Sequence, residues 1–412
     1  MKLTPIGKLA LFLILLGAAF GGYRFLQKNG ATGGAGTAIS NTSSGATTGG
    51  NAAPDSGNAS PDGGSANAGG NAPVAVAPVA ANELMIVTSA SKRGWLNDQI
   101  DKFNATSDVK LVPRLVETRA AMQQILAGNL KPGLWSPSSV IWADRLSEVL
   151  TQKTGSSPLD TGDANSYRSV LKTPLVFLTT KENAVKLRPL LSSSQCWLNV
   201  QKLSNGGIAF PGFKWAHADP LSANSGMLTL ALIINDYASR TGQSGAVQAA
   251  ANSPAFMGYL KSLESKIVYD QAVAKGSSAL VKSFSDDPTR YTFITAYESA
   301  AFDAVGANPD LAVIYPNPTV NAENAVAFLN WPSLSDEQRK AGRAFMEFVA
   351  RPDAIQDGLK EHFRPLRGNG ADAGLAALSA NGFQTSYSAI EVPPYAALNS
   401  VAYRWRTEVA RQ

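Results

Sequence analysis

The stretch ELMIVTSASKRGWLNDQIDKFN, residues 83–104, decides the fold class. Its apolar run at 84–90 ends in small polar residues, as a buried strand does. From Arg93 to Asn104 the apolar residues recur at helical spacing on one side. A second strand is predicted at 109–116, and a helix from Thr118 to Leu126 follows it. This alternation predicts an α/β protein, with a parallel sheet that helices cover on both faces.

The same alternation continues towards the C-terminus, and no internal repeat interrupts it. The residues 170–180 form a strand pattern with a break at Pro174, and 291–297 and 311–316 are two further predicted strands. Further helices are predicted at 140–150, 198–203, 227–237, 254–263, 298–305, 335–350 and 356–362, with a last one from Pro394 to Arg411. With 44% hydrophobic residues, the chain can bury a sizeable core.

The N-terminal segment 1–28 has the character of an envelope signal. The run LALFLILLGAAF at 9–20 follows Lys2 and Lys8, as in a signal peptide. Apolar character resumes after Phe20, so Leu9–Leu26 is about long enough to span a bilayer. We favour an uncleaved anchor over a cleaved signal peptide. Either way we expect the rest of the chain on the extracytoplasmic, periplasmic side of the inner membrane.

The composition of residues 29–82 predicts a disordered linker. They are rich in Gly, Ala, Asn and Ser, and their only charges are Asp55 and Asp62. Such a segment cannot bury enough apolar surface to fold. Its root-mean-square span is about 40 Å, which lets a folded head stand off a membrane.

Charge and composition exclude several classes of function. The net charge of +5 includes +4 from residues 1–28, so a basic nucleic-acid-binding surface is not indicated. A single cysteine, Cys196, excludes an intramolecular disulfide framework. Two histidines, His217 and His362, are too few for a histidine-rich metal centre. We expect no metal and no cofactor.

Three loops share one design, with small hydroxyl or amide residues between a predicted strand and a predicted helix. Free backbone N–H groups at a helix start can cradle an anionic or polar ligand, although each loop could equally be a plain helix cap. In open α/β sheets the ligand crevice lies at the carboxyl ends of the strands, where these loops fall. The candidate ligand-binding residues are Ser89 and Ser91, Ser138 and Ser139, and Ser222, Asn224 and Ser225.

Tyr297 and Glu298 follow a predicted buried strand and complete the set of candidates. They could contact a ligand from the opposite side of a cleft, or Glu298 could be a buried carboxylate with a hydrogen-bonded partner. Lys92 follows the first loop and could offset the charge of an anion, or simply be solvated.

A serine-enzyme alternative rests on three short patterns. Residues 89–92 fit S-x-x-K, 153–155 fit K-T-G, and 222–224 resemble S-D-N, the signatures of penicillin-interacting enzymes. In those enzymes K-T-G comes last and lies on a strand, whereas here it ends a predicted helix. We therefore predict no catalytic residues and no enzymatic activity.

Four motifs in order carry a family resemblance. They are K-P-x-x-W-S-P-S-S at 131–139, F-K-W-x-H-x-D-P-x-x-x-N-S-G at 213–226, T-A-Y-E at 295–298, and the run from Ser335 to Gln356 that closes with F-R-P at 363–365. This set resembles bacterial extracellular solute-binding proteins, in particular a branch some of whose members carry von Willebrand A domains. The resemblance covers roughly residues 83–411. The leader has no lipobox cysteine and the linker is unusually long, and both features depart from a simple free periplasmic carrier.

The resemblance implies a type II periplasmic-binding fold, with two α/β lobes that close on a ligand. Lobe I would comprise 83–173 and 294–368, lobe II 174–293, and the tail with its helix 369–412. The ligand would be a small polar or anionic solute, although Trp135 leaves a sugar open. The partners would be a membrane permease and its ATPase. The alternative is a membrane-tethered sensor or scaffold with the same fold.

Overall fold

The computed structural model describes residues 80–366 and 376–410. The predicted signal segment 1–28, with its span Leu9–Leu26, and the predicted linker up to residue 79 lie outside the described residues. Within the described ranges, no helix combines the length and the apolar character needed to cross a bilayer.

Ten strands and fourteen α-helices make up the described chain. The strands are β1 (Glu83–Thr88), β2 (Lys110–Leu115), β3 (Leu134–Ser136), β4 (Tyr167–Thr180), β5 (Trp215–Ala216), β6 (Phe293–Tyr297), β7 (Leu311–Ile314), β8 (Thr319–Phe328), β9 (Arg364–Pro365) and β10 (Ala389–Ile390). The helices are α1 (Arg93–Asn104), α2 (Thr118–Leu126), α3 (Val140–Thr154), α4 (Lys181–Leu191), α5 (Cys196–Ser204), α6 (Asn224–Arg240), α7 (Val247–Asn252), α8 (Pro254–Leu263), α9 (Gln271–Lys275), α10 (Ser277–Asp286), α11 (Glu298–Ala307), α12 (Asp336–Phe348), α13 (Pro352–Lys360) and α14 (Tyr395–Glu408).

The strands form two sheet regions that share β4. In the first region the order is β2-β1-β3-β8-β4, in which β1 pairs in parallel with β2 and β3, and β8 runs antiparallel to β3 and β4. In the second region the later residues of β4 pair with β6 and β7, and β5 extends the sheet beyond β6. Pro113 is accommodated because β2 pairs on one side only, where a missing N–H costs little. The predicted α/β fold class is confirmed as a two-lobed α/β fold.

Helices bury their apolar stripes against these strands. In α1 the buried residues Trp95, Ile100 and Phe103 face the first sheet region, where the Phe103 ring meets that of Phe345 from α12 edge-on at 5.3 Å. Helix α6 is apolar along most of its length and lies in the largest core cluster of the chain. Helix α14 covers α6 and α7 and buries Trp405 completely.

Most predicted elements are present, but the short strands β3, β5, β9 and β10 were not predicted, and two longer strands also differ from the predictions. The sequence predicts a break at Pro174, whereas β4 continues through this residue and changes its partners there. Strand β8 was not predicted at all, although it lies in the middle of the first sheet region. Its sequence TVNAENAVAF contains two Asn and one Glu, which weaken the apolar signal of a strand.

The predicted boundary at which the chain returns to lobe I, between residues 293 and 294, falls inside β6. All five residues of β6 pair with β4 at 175–179, and β7 pairs with β4 at 177–180, so both strands belong to the second sheet region. The chain re-enters the first region at β8. The strand pairing therefore favours a second lobe that extends to about residue 318, and we propose this boundary in place of 293.

Gly226, in the first turn of α6, permits a close approach of two backbone segments. A Cβ atom at this position would lie 1.9 Å from the carbonyl oxygen of Ala218 and 2.8 Å from the nitrogen of Pro220. We expect Gly226→Ala to lower the free energy of unfolding by about 3 kcal/mol, since backbone cannot move aside as a side chain can. Urea denaturation measures the change.

Gly258, inside α8, is the matched control. Nothing lies within 4 Å of a Cβ added there. Gly258→Ala should raise the free energy of unfolding by about 1 kcal/mol, because alanine has the higher helix propensity. Equal effects of the two substitutions would contradict the packing around Gly226.

Candidate functional site

A small polar pocket lies where β4 changes its partners. Its walls come from both sheet regions, and in this conformation it has room for about one water molecule. The lining residues are Ser91, Lys92, Ser138, Thr173, Tyr297, Ser299, Ala322, Glu323, Asn324 and Phe363. Three of them, Ser91, Ser138 and Tyr297, are candidates that the sequence predicted.

The first loop follows β1 as a short 3₁₀ turn, Ala90–Lys92. The Oγ atoms of Ser89 and Ser91 lie 3.1 Å apart, and Ser89 is buried. The side chain of Lys92 is buried as well and points towards the second loop. Its Nζ donates to Ser136 O at 3.4 Å, to Ser136 Oγ at 3.2 Å and to Pro137 O. Lys92 thus ties the first loop to the second.

The second loop leads into α3. The Oγ atoms of Ser138 and Thr118 are 3.2 Å apart, so the start of α2 meets the start of α3. Ser139 precedes α3 without capping it through its side chain, and its buried Oγ has no hydrogen-bond partner among the described residues. A buried hydroxyl without a partner is costly, so a ligand or a bound water is the expected partner here.

The third loop meets the other two through Asn224, the first residue of α6. Asn224 Nδ2 donates to Ser138 O and to the hydroxyl oxygen of Tyr297, both at 3.2 Å, and Asn224 Oδ1 accepts from Trp142 Nε1 at 2.7 Å. Tyr297 in turn immediately precedes α11. Hydrogen bonds therefore link the Asn224 side chain, at the start of α6, to the backbone before α3 and to the side chain of the residue before α11.

The two other candidates of the third loop, like Asn224, are not among the residues that line the pocket. The hydroxyls of Ser225 and Ser277 are 2.6 Å apart, and Ser222 Oγ donates to Asp219 O at 3.1 Å. Ser225 is completely buried, so its hydroxyl positions the start of α6 against α10.

Residues 84–364 match the family model of bacterial extracellular solute-binding proteins. The chain belongs to this family. Among functionally curated proteins, none shows significant sequence similarity to it.

Solved structures show the same fold at low sequence identity. The sulfate-binding protein SubI from Mycobacterium tuberculosis is 16% identical with a TM-score of 0.53, over 77% of this solute-binding protein and 96% of that chain. The ferric binding protein from Campylobacter jejuni is 13% identical with a TM-score of 0.56, over 79% of this chain and 99% of that chain. A periplasmic thiamin binding protein is 14% identical with a TM-score of 0.56, over 80% and 95%. These are periplasmic binding proteins, and their similarity confirms the fold.

Glu298 is placed differently from the other candidates. It is fully buried, and its carboxylate accepts from Arg364 Nε at 2.7 Å, from Arg364 Nη2 at 2.5 Å and from the Tyr315 hydroxyl. Burial raises the pKa of Glu298, and hydrogen bonds and charge from Arg364 oppose the rise. Because both carboxylate oxygens are engaged, the placement favours a structural ion pair over the predicted ligand contact.

Several pocket residues were missed by the sequence analysis because they lie on β8 or next to it. Asn324 is 1% exposed, and its Nδ2 has no partner within the described chain. Glu323 accepts from the Tyr167 hydroxyl at 2.8 Å and the Ser169 hydroxyl at 2.5 Å. Thr173 Oγ1 accepts from the backbone N–H of Ser299 at 3.1 Å. Without β8, no sequence signal connected these residues to the predicted loops.

Two other polar residues noted in the sequence lie in the core of the protein. His217 packs against Trp405 and makes a 3.3 Å contact with Glu264 Oε1. Cys196 is buried, which raises the pKa of its thiol to about 12 and keeps it unreactive. Across 80–366 and 376–410, no cluster of His, Cys, Asp and Glu could hold a metal ion.

The enzyme-like patterns do not form one site. Lys92 Nζ contacts Ser136 and Pro137, and Lys153 is exposed, with its Nζ donating to Leu126 O at 3.1 Å near the end of α2. The proteins of this family and its structural neighbours bind solutes.

The Glu298–Arg364 pair leads to a stability prediction. Arg364→Met leaves a buried carboxylate without its partner, so we expect a loss of about 3–5 kcal/mol in the free energy of unfolding. The double variant Glu298→Gln, Arg364→Met should recover part of that loss, because no buried charge remains. Urea denaturation tests both.

The exposed i,i+4 pair of Lys282 and Asp286, with Nζ and Oδ2 2.8 Å apart, is the control. Lys282→Met should change stability by less than about 0.5 kcal/mol. A similarly small change for Arg364→Met would show that the Glu298 carboxylate is not held in this buried pair.

Proposed function

We propose that this protein captures a small polar or anionic ligand between its two lobes, on the extracytoplasmic side of the membrane. The main support is the junction of three helix N-termini, those of α3, α6 and α11, around Asn224. Each N-terminus carries roughly half a positive charge, so their proximity favours a negatively charged group.

The pocket composition favours an oxyanion over a sugar. Serine, threonine and asparagine side chains make up much of its lining, and Asn324 Nδ2 is a donor without a partner among the described residues. Trp135 is the aromatic residue for which the sequence analysis left a sugar ligand as an alternative. It is completely buried in the hydrophobic core and does not line the pocket. The M. tuberculosis protein of the same fold is named for sulfate, which agrees with this ligand class.

Ligand entry requires the lobes to separate. The pocket has room for about one water, and Asn224 bonds to two of the residues that line it, Ser138 and Tyr297. In the proposed cycle these groups exchange their mutual hydrogen bonds for bonds to the ligand. The candidate contacts are then Ser89, Ser91, Ser138, Ser139, Asn224 and Tyr297, with Asn324 added from the structure.

The proposed destination of the ligand is an ABC-type permease with its ATPase, as the family implies. We further propose that Leu9–Leu26 anchors the chain in the inner membrane and that residues 29–82 act as a tether. These sequence features also fit a membrane-tethered sensor, in which lobe closure signals to a partner protein and delivers nothing.

A ligand screen tests the proposed function directly. A ligand present at about 100 times its Kd should add about 2.7 kcal/mol to the stability of the purified full-length protein, which a thermal-shift assay detects. We expect a shift with small oxyanions and none with neutral sugars or divalent cations. A shift with sugars alone would contradict the proposed ligand class, and no shift with any solute would favour the sensor.

Asn324 provides a variant that separates binding from folding. Asn324→Leu removes an amide whose Nδ2 donor has no partner, so stability should stay within about 1 kcal/mol of the wild type. The Kd of the oxyanion should rise about tenfold or more, because the ligand loses a donor. Isothermal titration calorimetry measures the change.

Asn381 is the matched control, because its buried Nδ2 donates to Pro309 O at 3.0 Å and to Leu311 O at 2.8 Å. Asn381→Leu should lower the free energy of unfolding by about 1–3 kcal/mol and leave the Kd unchanged. The assignment of Asn324 to the ligand fails if Asn324→Leu binds as tightly as the wild type.

A further inference from the structure

Lys92 has an unusual position for a lysine. Its side chain is only 3% exposed, and among the described residues that line the pocket it is the only basic one. A buried ammonium is costly unless its donors are satisfied and its charge is compensated. The contacts of Lys92 show how both conditions are met.

The three contacts of Nζ satisfy all the donors of an ammonium group. Two are carbonyl oxygens, Ser136 O and Pro137 O, and the third is Ser136 Oγ at 3.2 Å. That hydroxyl donates its own proton to Ala325 O at 2.6 Å, so it can only accept from Lys92. The charged form of Lys92 therefore connects three segments, namely the first loop, the second loop and β8.

We propose that Lys92 makes the cleft selective for anions, as a positioning residue that supplies a buried positive charge and holds the second loop at the start of α3. The inference rests on the proposed function and specifies its electrostatic basis. All three N–H donors of the Lys92 ammonium group are bonded within the protein. Lys92 therefore acts on the ligand through its charge and through the position of the second loop.

The charged and titratable groups that face Lys92 come from three other segments. Glu323 on β8 and Glu117 before α2 are the carboxylates whose charges act on Lys92, and Tyr297 lines the same pocket. Glu323 is already bonded to two hydroxyls, and Glu117 accepts from the backbone N–H of Ala90. Burial lowers the pKa of Lys92 to about 7, because the loss of solvation outweighs the attraction of both carboxylates.

A bound anion adds negative charge near Lys92 and favours its protonated form. In the ligand-free protein the positive charge of Lys92 is lost as the pH rises through about 7, because the lowered pKa is that of the folded protein. Above that pH, anion binding must include the uptake of one proton by Lys92. The Kd of an anion should therefore rise about tenfold for each pH unit above about 7.

The test uses the full-length protein and oxyanions whose charge is constant between about pH 5.5 and about pH 8.5, namely sulfate, selenate and nitrate, which are the anions of strong acids. Calorimetry in two buffers of different ionisation enthalpy measures the Kd and the number of protons taken up. For the tightest of the three anions we expect proton uptake that approaches one per anion at the upper end of this range and vanishes at the lower end.

Two variants assign the proton to Lys92. Lys92→Met should weaken anion binding about tenfold or more at low pH and abolish both the pH dependence and the proton uptake. Lys92→Arg keeps its charge at every pH and should restore binding without pH dependence. Lys282→Met, which removes an exposed lysine, should match the wild type. Proton uptake that persists in Lys92→Met would assign the proton to another group, such as Glu117, and would overturn the inference.

The remaining outcomes separate the inference from the proposed function. A wild-type Kd that does not change with pH, with no proton uptake, contradicts the titration of Lys92 in this range. A Kd that is the same in Lys92→Met as in the wild type at low pH overturns the role of Lys92 and leaves anion capture intact. Absence of binding by all three anions to the wild type at every pH overturns the proposed anionic ligand, and the inference with it.

Discussion

The partner change within β4 is the constraint on which the rest of the structure depends. This strand pairs with β8 up to Pro174 and with β6 and β7 from Leu175 onwards. Because one continuous strand pairs with both sets of partners, β4 links the two sheet regions at this point. Thr173 of β4 and residues 322–324 of β8 lie where β4 changes its partners, and they line the pocket. The pocket therefore lies where β4 joins the two lobes.

A buried ion pair links the two sheet regions near the same point. Arg364 lies on β9, which pairs with β4 in the first sheet region, whereas Glu298 begins α11, which follows β6 of the second region. The guanidinium also lies 4.8 Å from the ring centres of Phe383 and Tyr387, both in the segment that follows residue 376. A buried pair of this kind contributes little net stability, but it fixes the geometry because either charge alone would be costly.

The electrostatics of the pocket reflect two opposing contributions. Three helix N-termini and Lys92 favour negative charge, whereas Glu323 and Glu117 disfavour it. Glu323 Oε2 accepts from two hydroxyls, and Glu117 accepts from a backbone N–H. In the pocket lining, Asn324 Nδ2 is a buried donor without a partner in the described chain. This free donor and the positive charge of Lys92 are the physical basis for expecting an anion.

The sequence by itself determined the α/β class and the segments that begin α1, α3, α6 and α11, because apolar periodicity and small polar loops are local signals. The four motifs, read together, also indicated the family. The tertiary structure alone decided which loop residues meet. It placed Asn224 between Ser138 and Tyr297, turned Ser222 and Ser225 away from the pocket, and paired Glu298 with Arg364. It also placed Asn324 and Glu323 of β8 in the lining of the pocket. The polar residues of β8 weaken the local signal for this central strand. These contacts join residues far apart in the chain, so they follow from strand pairing and packing, which no local pattern encodes.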